Sequence, residues 1–223
     1  MKIVLATRNR DKAREIVGLL AGLDVEVRTL EDFPPCPATR EDGQTLEANA
    51  VKKAREARDH TGLSALADDT GLEVDALGGA PGIYSSRFAR EGAAYAENCA
   101  KLRREMAGVP LPERGARFRT VMALALSPAD AARLAPHPDG GAAAAGGATD
   151  CIVTEGILTG SIAETPRGSD GFGYDPLFVE RESGRTLAEM TLAEKNRTSH
   201  RYRALVEMRE TLLRCGLVTS ASV

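Results

Sequence analysis

The stretch Leu63-Ser64-Ala65-Leu66-Ala67-Asp68-Asp69-Thr70-Gly71 decides how the fold is interpreted, because an apolar run meets two adjacent carboxylates there. Residues Leu63 to Ala67 are predicted to form a short strand that ends at Asp68 and Asp69. Neighbouring carboxylates repel each other unless a divalent cation or a hydrogen-bond donor lies nearby. Asp followed by Thr-Gly is also ordinary turn chemistry. The residues alone therefore leave a metal site and a plain turn both open.

The composition of the chain indicates an ordinary globular protein. Its 223 residues are enough for a sizeable core, and 43% of them are apolar and 27% are charged. A formal net charge of -3 argues against general nucleic-acid binding, which needs a basic excess. The four cysteines are far apart and form no Cys-x-x-Cys pair, so a zinc site is not indicated. The sequence has neither a signal-peptide core nor an apolar run of membrane-spanning length, and we expect a cytoplasmic protein without a membrane partner.

Hydrophobic periodicity on both sides of the opening stretch alternates between strand and helix. Leu205, Met208 and Leu212 form an apolar face at helical spacing near the end of the chain. Alternating strands and helices in the first third, followed by consecutive strands, predict an α/β fold with a mixed sheet. The predicted strands are Lys2–Ala6, Val25–Thr29, Leu63–Ala67, Arg117–Ser127, Cys151–Thr159 and Leu177–Val179, and the predicted helices are Ala13–Leu20, Thr45–His60, Ala93–Ala107 and Ser199–Cys215.

Residues 128–149 stand between two predicted strands and are rich in Ala, Gly and Pro. Such a composition buries little apolar surface, so we predict an insertion loop at the surface rather than a linker between domains. The chain is accordingly expected to form a single domain over residues 1–223.

The segment Thr7-Arg8-Asn9-Arg10-Asp11-Lys12 joins the first predicted strand to the first predicted helix. Hydroxyl, amide and cationic side chains therefore meet the unpaired N–H groups of a helix start, which is an anion-binding arrangement. The glycine spacing of a P-loop is missing from it. A capped helix start with solvated charges explains the same residues equally well, so both interpretations stay open.

A second group of charged residues surrounds the predicted start of the helix Thr45–His60. Glu41 and Asp42 precede the expected cap, Thr45, and helix starts prefer acidic residues, so a structural role is favoured for either carboxylate taken singly. Lys53 lies two turns into this helix and can reach back over a phosphate, although a lone helical lysine is usually solvated.

Two aromatic rings stand within the glycine-rich segment Gly168–Pro176. The glycines permit close approach of the backbone, and Phe172 and Tyr174 offer surfaces on which a planar base can stack. Because aromatic residues make up only 4% of the chain, this concentration favours binding over the alternative, a tight turn before a strand.

Basic residues precede the last predicted helix. Lys195, His200 and Arg201 lie within residues 194–201, which contain no offsetting acidic cluster. A basic helix start is unfavourable with respect to the helix dipole. We therefore expect these side chains to meet an anion or the electron-rich edge of a base.

Taken together, the motifs of this chain resemble those of the inosine triphosphate pyrophosphatase family, which acts on non-canonical purine nucleoside triphosphates. The similarity runs in order from Lys2 to about Gly216. The resemblance implies a two-lobed α/β fold with flanking helices and a central cleft, a homodimer, and magnesium-dependent hydrolysis of ITP, dITP and XTP to the monophosphate and pyrophosphate. The motifs that carry it are Thr7-x-Asn9-x-x-Lys12, Glu41 with Gly43-x-Thr45 and Asn49-Ala50, Ala67-Asp68-Asp69-Thr70-Gly71-Leu72, Gly78-Gly79-Ala80-Pro81-Gly82-Ile83-Tyr84-Ser85, Phe172-Gly173-Tyr174-Asp175-Pro176, and Glu194-Lys195 with Ser199-His200-Arg201.

The resemblance also implies roles for individual residues. Glu41 and Asp69, together with Asp68, would hold Mg²⁺, and Asp69 would also be the proton acceptor. The chain departs from the family pattern at Asp11, where Gly is usual, and at Thr70, where Ser is commoner. The residues implied to bind the substrate are Thr7, Arg8, Asn9, Arg10, Asp11, Lys12, Lys53, Thr70, Phe172, Gly173, Tyr174, Asp175, Lys195, His200 and Arg201.

Other functions fit some of the same residues. A pyrophosphatase of canonical or modified pyrimidine triphosphates would need a related cleft, and a panel of substrates separates the two. A nucleotide-sensing binding protein would use the same anion loop and aromatic surface but would not need Asp69 beside Glu41. Nucleotide binding without magnesium and without pyrophosphate release would identify such a protein. A purely structural role explains these glycine-rich and basic segments poorly.

Overall fold

A computed structural model describes residues 1–134 and 150–220 of the chain, with Leu19 described by its backbone alone. The strands are β1 (Lys2–Leu5), β2 (Glu26–Thr29), β3 (Ser64–Val74), β4 (Pro81–Gly82), β5 (Gly115–Ala125), β6 (Cys151–Ile162) and β7 (Phe178–Glu180). The helices are α1 (Arg10–Leu20), α2 (Leu46–Thr61), α3 (Tyr95–Glu105), α4 (Pro128–Ala131), α5 (Leu192–Thr198) and α6 (His200–Arg214). Within these described ranges, none of the helices is both long and apolar enough to cross a membrane.

The strands form a mixed sheet. Its order is β2-β1-β3-β5-β6-β7, with β4 paired to β3. β1 runs parallel to both β2 and β3, whereas the pairs β3–β4 and β6–β7 are antiparallel. The prediction of an α/β fold with a mixed sheet is therefore confirmed. Because β1 and β3 are parallel neighbours with Leu5 opposite Leu66, the residues that follow β1 lie at the same end of this strand pair as Asp68 and Asp69.

The chain divides into two compact units. The first contains Met1–Asp69, Val121–Glu155 and Arg203–Val223, and the second contains Thr70–Thr120 and Gly156–Tyr202. The number of domains, expected to be one, stays a prediction.

The core of the first unit is formed by central strands and one face of α6. Ile3 of β1 and Leu124 of β5 are fully buried, and they belong to the same cluster as Leu205, Met208 and Leu212 of α6. The predicted apolar face of the last helix is thus confirmed. Each such side chain stabilises the fold by about 1.5–3 kcal/mol through its removal from water. On α1, Ile16 and Leu20 are buried, whereas Val17 is exposed.

The core of the second unit is more aromatic. Phe118 of β5 and Phe178 of β7 pack with ring centroids 4.7 Å apart, and Leu72, Leu102 and Leu187 surround them in one buried cluster. Aromatic pairs in this tilted arrangement stabilise a core beyond the area they bury. The packing of Phe118 therefore holds this part of β5 firmly in the core of the second unit.

Two expectations from the sequence are wrong at their boundaries. β3 does not end at Ala67 but continues to Val74, so Asp68 and Asp69 lie inside a strand. Pro128–Ala131 is a short helix capped by the Ser127 hydroxyl, so the predicted loop begins later. The remainder of the predicted loop, residues 135–149, lies outside the described residues.

The basic residues before the last helix also have a different setting. Leu192–Thr198 forms a separate helix, α5, which the sequence analysis did not predict. Lys195 lies in its last turn, where the helix dipole favours a cation, so the argument from an unfavourable basic helix start is wrong for this residue.

Candidate active site

Carboxylates of the first unit meet at the ammonium group of Lys53. This group donates hydrogen bonds to Glu41 Oε1 at 3.0 Å, to Asp69 Oδ1 at 2.9 Å and to the Asp68 carbonyl oxygen at 2.7 Å. Lys12 Nζ pairs with Asp68 Oδ2 at 3.0 Å. We call Glu41, Asp68 and Asp69, with these two lysines, the carboxylate cluster. Its two aspartates lie within strand β3 and not in a turn.

Asn49 fixes the orientation of Asp69. Its Nδ2 atom donates to Asp69 Oδ2 at 3.2 Å, and its Oδ1 atom accepts from the Gly43 backbone N–H at 2.8 Å. A Cβ atom at Gly43 would lie 2.6 Å from that Oδ1 atom, so glycine is required for this approach. Asn49 and Lys53 are one turn apart on α2, and both face Asp69. The sequence analysis gave Asn49 no role, although its i, i+4 spacing from Lys53 was a usable signal.

The ionisation of the carboxylate cluster departs from ordinary behaviour. Burial raises the pKa of Asp69, and the positive charges of Lys53 and Lys12 offset this effect only in part. Burial alone would lower the pKa of Lys53, but the charges of Asp69, Asp68 and Glu41 raise it above its usual value. Asp69 is therefore a more basic carboxylate than one in water, next to a lysine that stays protonated.

Carboxylate oxygens are the ligands that Mg²⁺ prefers. Across residues 1–134 and 150–220, no three His, Cys, Asp or Glu side chains are arranged as a group that could hold a metal ion. The structure thus does not gather Glu41, Asp68 and Asp69 as one three-carboxylate site. Glu41 and Asp69 do converge on a single cation, Lys53 Nζ. These two carboxylates fit a magnesium ion.

The predicted anion loop has two distinct parts. Asn9 caps α1, since its Oδ1 atom accepts from the backbone N–H groups of Asp11 and Lys12 at 3.0 and 3.3 Å. Asp11 itself pairs with Arg14 at 3.8 Å. Lys12 reaches the carboxylate cluster through its ion pair with Asp68. The preceding residues Thr7, Arg8, Asn9 and Arg10 line a cavity of about 650 Å³ together with Thr29, Leu30, Glu31, Phe33, Pro35 and Cys36.

The second unit holds a different cluster around the ring of Phe172. Lys195 Nζ lies 4.6 Å and Arg201 Cζ 5.7 Å from the centre of this ring. Asp175 Oδ2 accepts from Lys195 Nζ at 2.6 Å and from the Phe172 backbone N–H at 2.8 Å. We call Phe172, Asp175, Lys195 and Arg201 the aromatic–cation cluster. Its two cations are almost fully buried, at 3% and 1% exposure, which makes them rigid hydrogen-bond donors.

Glycines allow the loop that carries Phe172 to close on Asp175. Gly171 has a φ of 77°, and a Cβ atom there would lie 2.1 Å from Asp175 Oδ2. Gly173 also has a positive φ, and its carbonyl oxygen accepts from the Cys99 thiol at 3.2 Å. Burial raises the pKa of that thiol to about 11. Glycine is thus needed at these positions for the turn itself.

The structure gives Tyr174 and His200 packing partners in the second unit. Tyr174 is buried, and its hydroxyl donates to the Ser85 carbonyl oxygen at 2.9 Å. The buried ring of His200 stacks on Phe118 with centroids 4.6 Å apart. Both side chains therefore have structural partners in addition to the substrate contacts predicted for them.

A chain of hydrogen bonds connects Arg201 to two threonines. Arg201 Nη2 donates to Thr70 Oγ1 at 3.3 Å, and this oxygen lies 2.7 Å from Thr120 Oγ1. Thr70 was predicted from its position in the motif, whereas Thr120 was not considered. Only the pairing of strands far apart in sequence reveals Thr120.

Comparison with known proteins gives consistent matches. Residues 3–211 match the model of the Ham1 family. The chain is 47% identical over 211 residues to a dITP/XTP pyrophosphatase of Geobacter sulfurreducens, covering 95% of this chain and 96% of that protein. It is 44% identical to the enzyme of the same name from Geobacillus kaustophilus, covering 94% and 93% of the two chains. A solved HAM1 protein from Coxiella burnetii is 36% identical with a TM-score of 0.79, covering 96% of this chain and 99% of that one.

Proposed function

The chain belongs to the Ham1 family, and we propose that it hydrolyses non-canonical purine nucleoside triphosphates. The expected substrates are dITP, ITP and XTP, and the products are the nucleoside monophosphate and pyrophosphate, so that these nucleotides are removed from the pool. Relatives named dITP/XTP pyrophosphatase, aligned over nearly the whole of both chains, support this proposal. The observation that carries it is Asp69, buried and oriented by Asn49 and Lys53.

The carboxylate cluster is proposed to supply the chemistry. Water attacks the α-phosphorus, the bond from this phosphorus to the bridging oxygen breaks, pyrophosphate leaves, and the proton of the water passes to the Asp69 carboxylate. The raised pKa of Asp69 suits this role, because a general base works best when its pKa approaches the working pH. Lys12 and Lys53 provide positive charge for the phosphates.

We propose magnesium as the cofactor, held by Glu41 and Asp69. When bound, the ion neutralises charge on the phosphates and makes the attacking water more acidic. The convergence of both carboxylates on one cationic group supports the choice of these ligands. Asp68 is bound to Lys12 and is proposed to position that lysine.

The aromatic–cation cluster is proposed to select the base. The 6-oxo group of hypoxanthine or xanthine accepts hydrogen bonds, which Arg201 and His200 can donate. The 6-amino group of adenine presents donors instead, and two donors cannot satisfy each other. Each buried donor left without an acceptor costs about 1–3 kcal/mol, so a few such donors give large discrimination. The Phe172 ring offers a stacking surface for the base.

A homodimer located in the cytoplasm is also part of the proposal. The resemblance of the motifs implies the homodimer, and the cytoplasmic location is the expectation from the sequence. Light scattering coupled to gel filtration measures the mass of the particle. A mass of one chain at the concentration of the activity assay would contradict the dimer.

A substrate panel tests the activity. Pyrophosphate release is measured with ITP, dITP, XTP, GTP, ATP and dTTP, each with magnesium and with a chelator. We expect rapid release from the first three and little from ATP or dTTP, with loss of all release on chelation. Equal rates with dTTP would favour a pyrimidine-directed enzyme. Tight ITP binding without any release would favour a nucleotide-binding protein.

A further inference from the structure

We propose that Thr120 is a positioning residue for base selection, because its hydroxyl fixes the Thr70 hydroxyl and thereby the guanidinium of Arg201. The inference rests on the proposed function, in which Arg201 donates to the 6-oxo group of the base. All three residues belong to the second unit. Thr120 lies on β5 and Thr70 on β3, which are neighbours in the sheet.

Hydrogen bonds connect Thr120 to Arg201 through Thr70. A guanidinium can only donate, so Thr70 Oγ1 is the acceptor in its 3.3 Å contact with Arg201 Nη2. A hydroxyl has one proton and two lone pairs, so in the 2.7 Å contact between Thr70 Oγ1 and Thr120 Oγ1 either hydroxyl can donate. Arg201, Thr70 and Thr120 thus form a hydrogen-bonded chain.

Thr120 determines which rotamer of Thr70 is occupied. The hydroxyl and the methyl group of threonine have nearly the same size, so packing distinguishes poorly between rotamers that exchange them. The hydrogen bond to Thr120, whose side chain is 0% exposed, does distinguish them. It places the oxygen, and not the methyl group, towards Arg201.

Arg201 is 1% exposed, so water cannot readily replace an acceptor that the guanidinium loses. The contact of 3.3 Å is at the long end of the normal range, so a small displacement of the Thr70 oxygen breaks it. One of the contacts that orient the guanidinium would then be lost, and the direction of its N–H groups would shift. Selectivity between bases is the property that such a shift changes.

The test compares kcat/KM for ITP and for ATP in matched variants. Thr120→Val keeps the shape of the side chain and removes the hydroxyl, whereas Thr120→Ser keeps the hydroxyl. Thr154→Val is the control, because the buried Thr154 hydroxyl donates to the Ala204 carbonyl oxygen at 2.8 Å in the first unit. Thermal unfolding of each variant reports stability separately.

We expect Thr120→Val to lower the ITP-to-ATP ratio by about five-fold, the effect of losing one hydrogen bond. Thr120→Ser should restore the ITP-to-ATP ratio. Thr154→Val should lower the unfolding temperature but leave the ITP-to-ATP ratio unchanged. If Thr120→Val does not fold, Thr120→Ala is used in the same comparison.

An unchanged ratio in a folded Thr120→Val or Thr120→Ala variant would overturn the inference. So would an equal change in Thr154→Val, because the effect would then reflect stability alone. If the wild-type chain prefers ITP and the variant keeps the same ITP-to-ATP ratio, the inference fails and the proposed function stands. A wild-type chain that releases no pyrophosphate would overturn both.

Discussion

The carboxylate cluster and the aromatic–cation cluster bury charge in opposite ways. In the first, Glu41 and Asp69 share the ammonium of Lys53, so carboxylates outnumber the cation that joins them. In the second, Lys195 has Asp175 as its carboxylate partner, while Arg201 donates to a neutral hydroxyl and lies near an aromatic ring. In the first region two carboxylates therefore share one cation, whereas the second region brings two cations to one aromatic ring.

This difference indicates a division of labour. A surplus of carboxylates attracts a cation and raises the basicity of Asp69, both of which serve phosphate hydrolysis. Rigid buried donors beside the Phe172 ring serve recognition of a base. If the division is correct, substitutions in the carboxylate cluster change the rate for all substrates. Substitutions in the aromatic–cation cluster change the preference among them.

The largest effect is expected from Asp69→Asn. The amide keeps the shape of the side chain but cannot accept the proton, so kcat should fall by about 10²- to 10⁴-fold for every substrate. Because the cluster that selects the base is intact, the ITP-to-ATP ratio should stay the same. Initial rates of pyrophosphate release with ITP and ATP measure both quantities.

Asp150→Asn is the matched control for this substitution. Asp150 also accepts from cationic side chains of the first unit, including Arg55 at 3.1 Å, but it lies outside the carboxylate cluster. It should keep the wild-type rate. A folded Asp69→Asn variant that retains the wild-type rate would disprove the role of Asp69 as the base.

The next largest effect is expected from Arg201→Ala. Loss of the buried donor should lower the ITP-to-ATP ratio of kcat/KM by about ten-fold or more, since a donor no longer opposes the adenine amino group. Arg201→Lys keeps the charge but not the planar group, and it should recover the ratio only in part. The same two-substrate kinetics give the result.

Arg117→Ala is the corresponding control in the second unit. Arg117 pairs with Glu73 at 2.6 Å and its side chain is 52% exposed, so its loss should not affect selectivity. A ratio that is equal in wild type and in Arg201→Ala would mean that the base is selected elsewhere.

Much of the fold follows from local patterns that the sequence displays. The apolar spacing of Leu205, Met208 and Leu212 predicted the buried face of α6 correctly. The end of β3 was misjudged, because two adjacent carboxylates in a strand interior look unfavourable until their partners are known. Those partners, Lys12 and Lys53, lie on the helices α1 and α2, and only the fold brings them to the aspartates.

The residues of the candidate site differ in how readily they can be predicted from the sequence. Asp69 and Lys195 stood out as charges in unusual sequence settings, even though the helix that carries Lys195 was missed. A capping box, Thr191 with Glu194, marked the start of that helix and was a usable signal. Thr120 was not accessible in the same way, because a threonine in an apolar strand has no distinctive pattern until the register of its neighbour is known.

The smallest expected effect is a difference in how the two regions respond to acid. Hydrogen bonds from Arg185 and from the Thr191 backbone and hydroxyl lower the pKa of Glu194 from 4.5 to about 2. The stability that the ionised Glu194 contributes to α5 is therefore fully present above pH 4.5 and is lost as the pH falls through about 2. Asp69 behaves in the opposite sense, because burial raises its pKa and protonation in acid relieves the cost of its buried charge.

Thermal unfolding of wild type and Glu194→Gln across this acidic range tests the support that Glu194 provides. The variant should unfold at a slightly lower temperature above pH 4.5, and the difference should narrow as the pH falls towards 2. The difference is expected to be small because the contacts of Glu194 are close to solvent, where ion pairs contribute little. A constant difference at every pH would show that the amide loses shape or packing and not charge. The acid response would then no longer distinguish the helix that carries Lys195 from the carboxylate cluster.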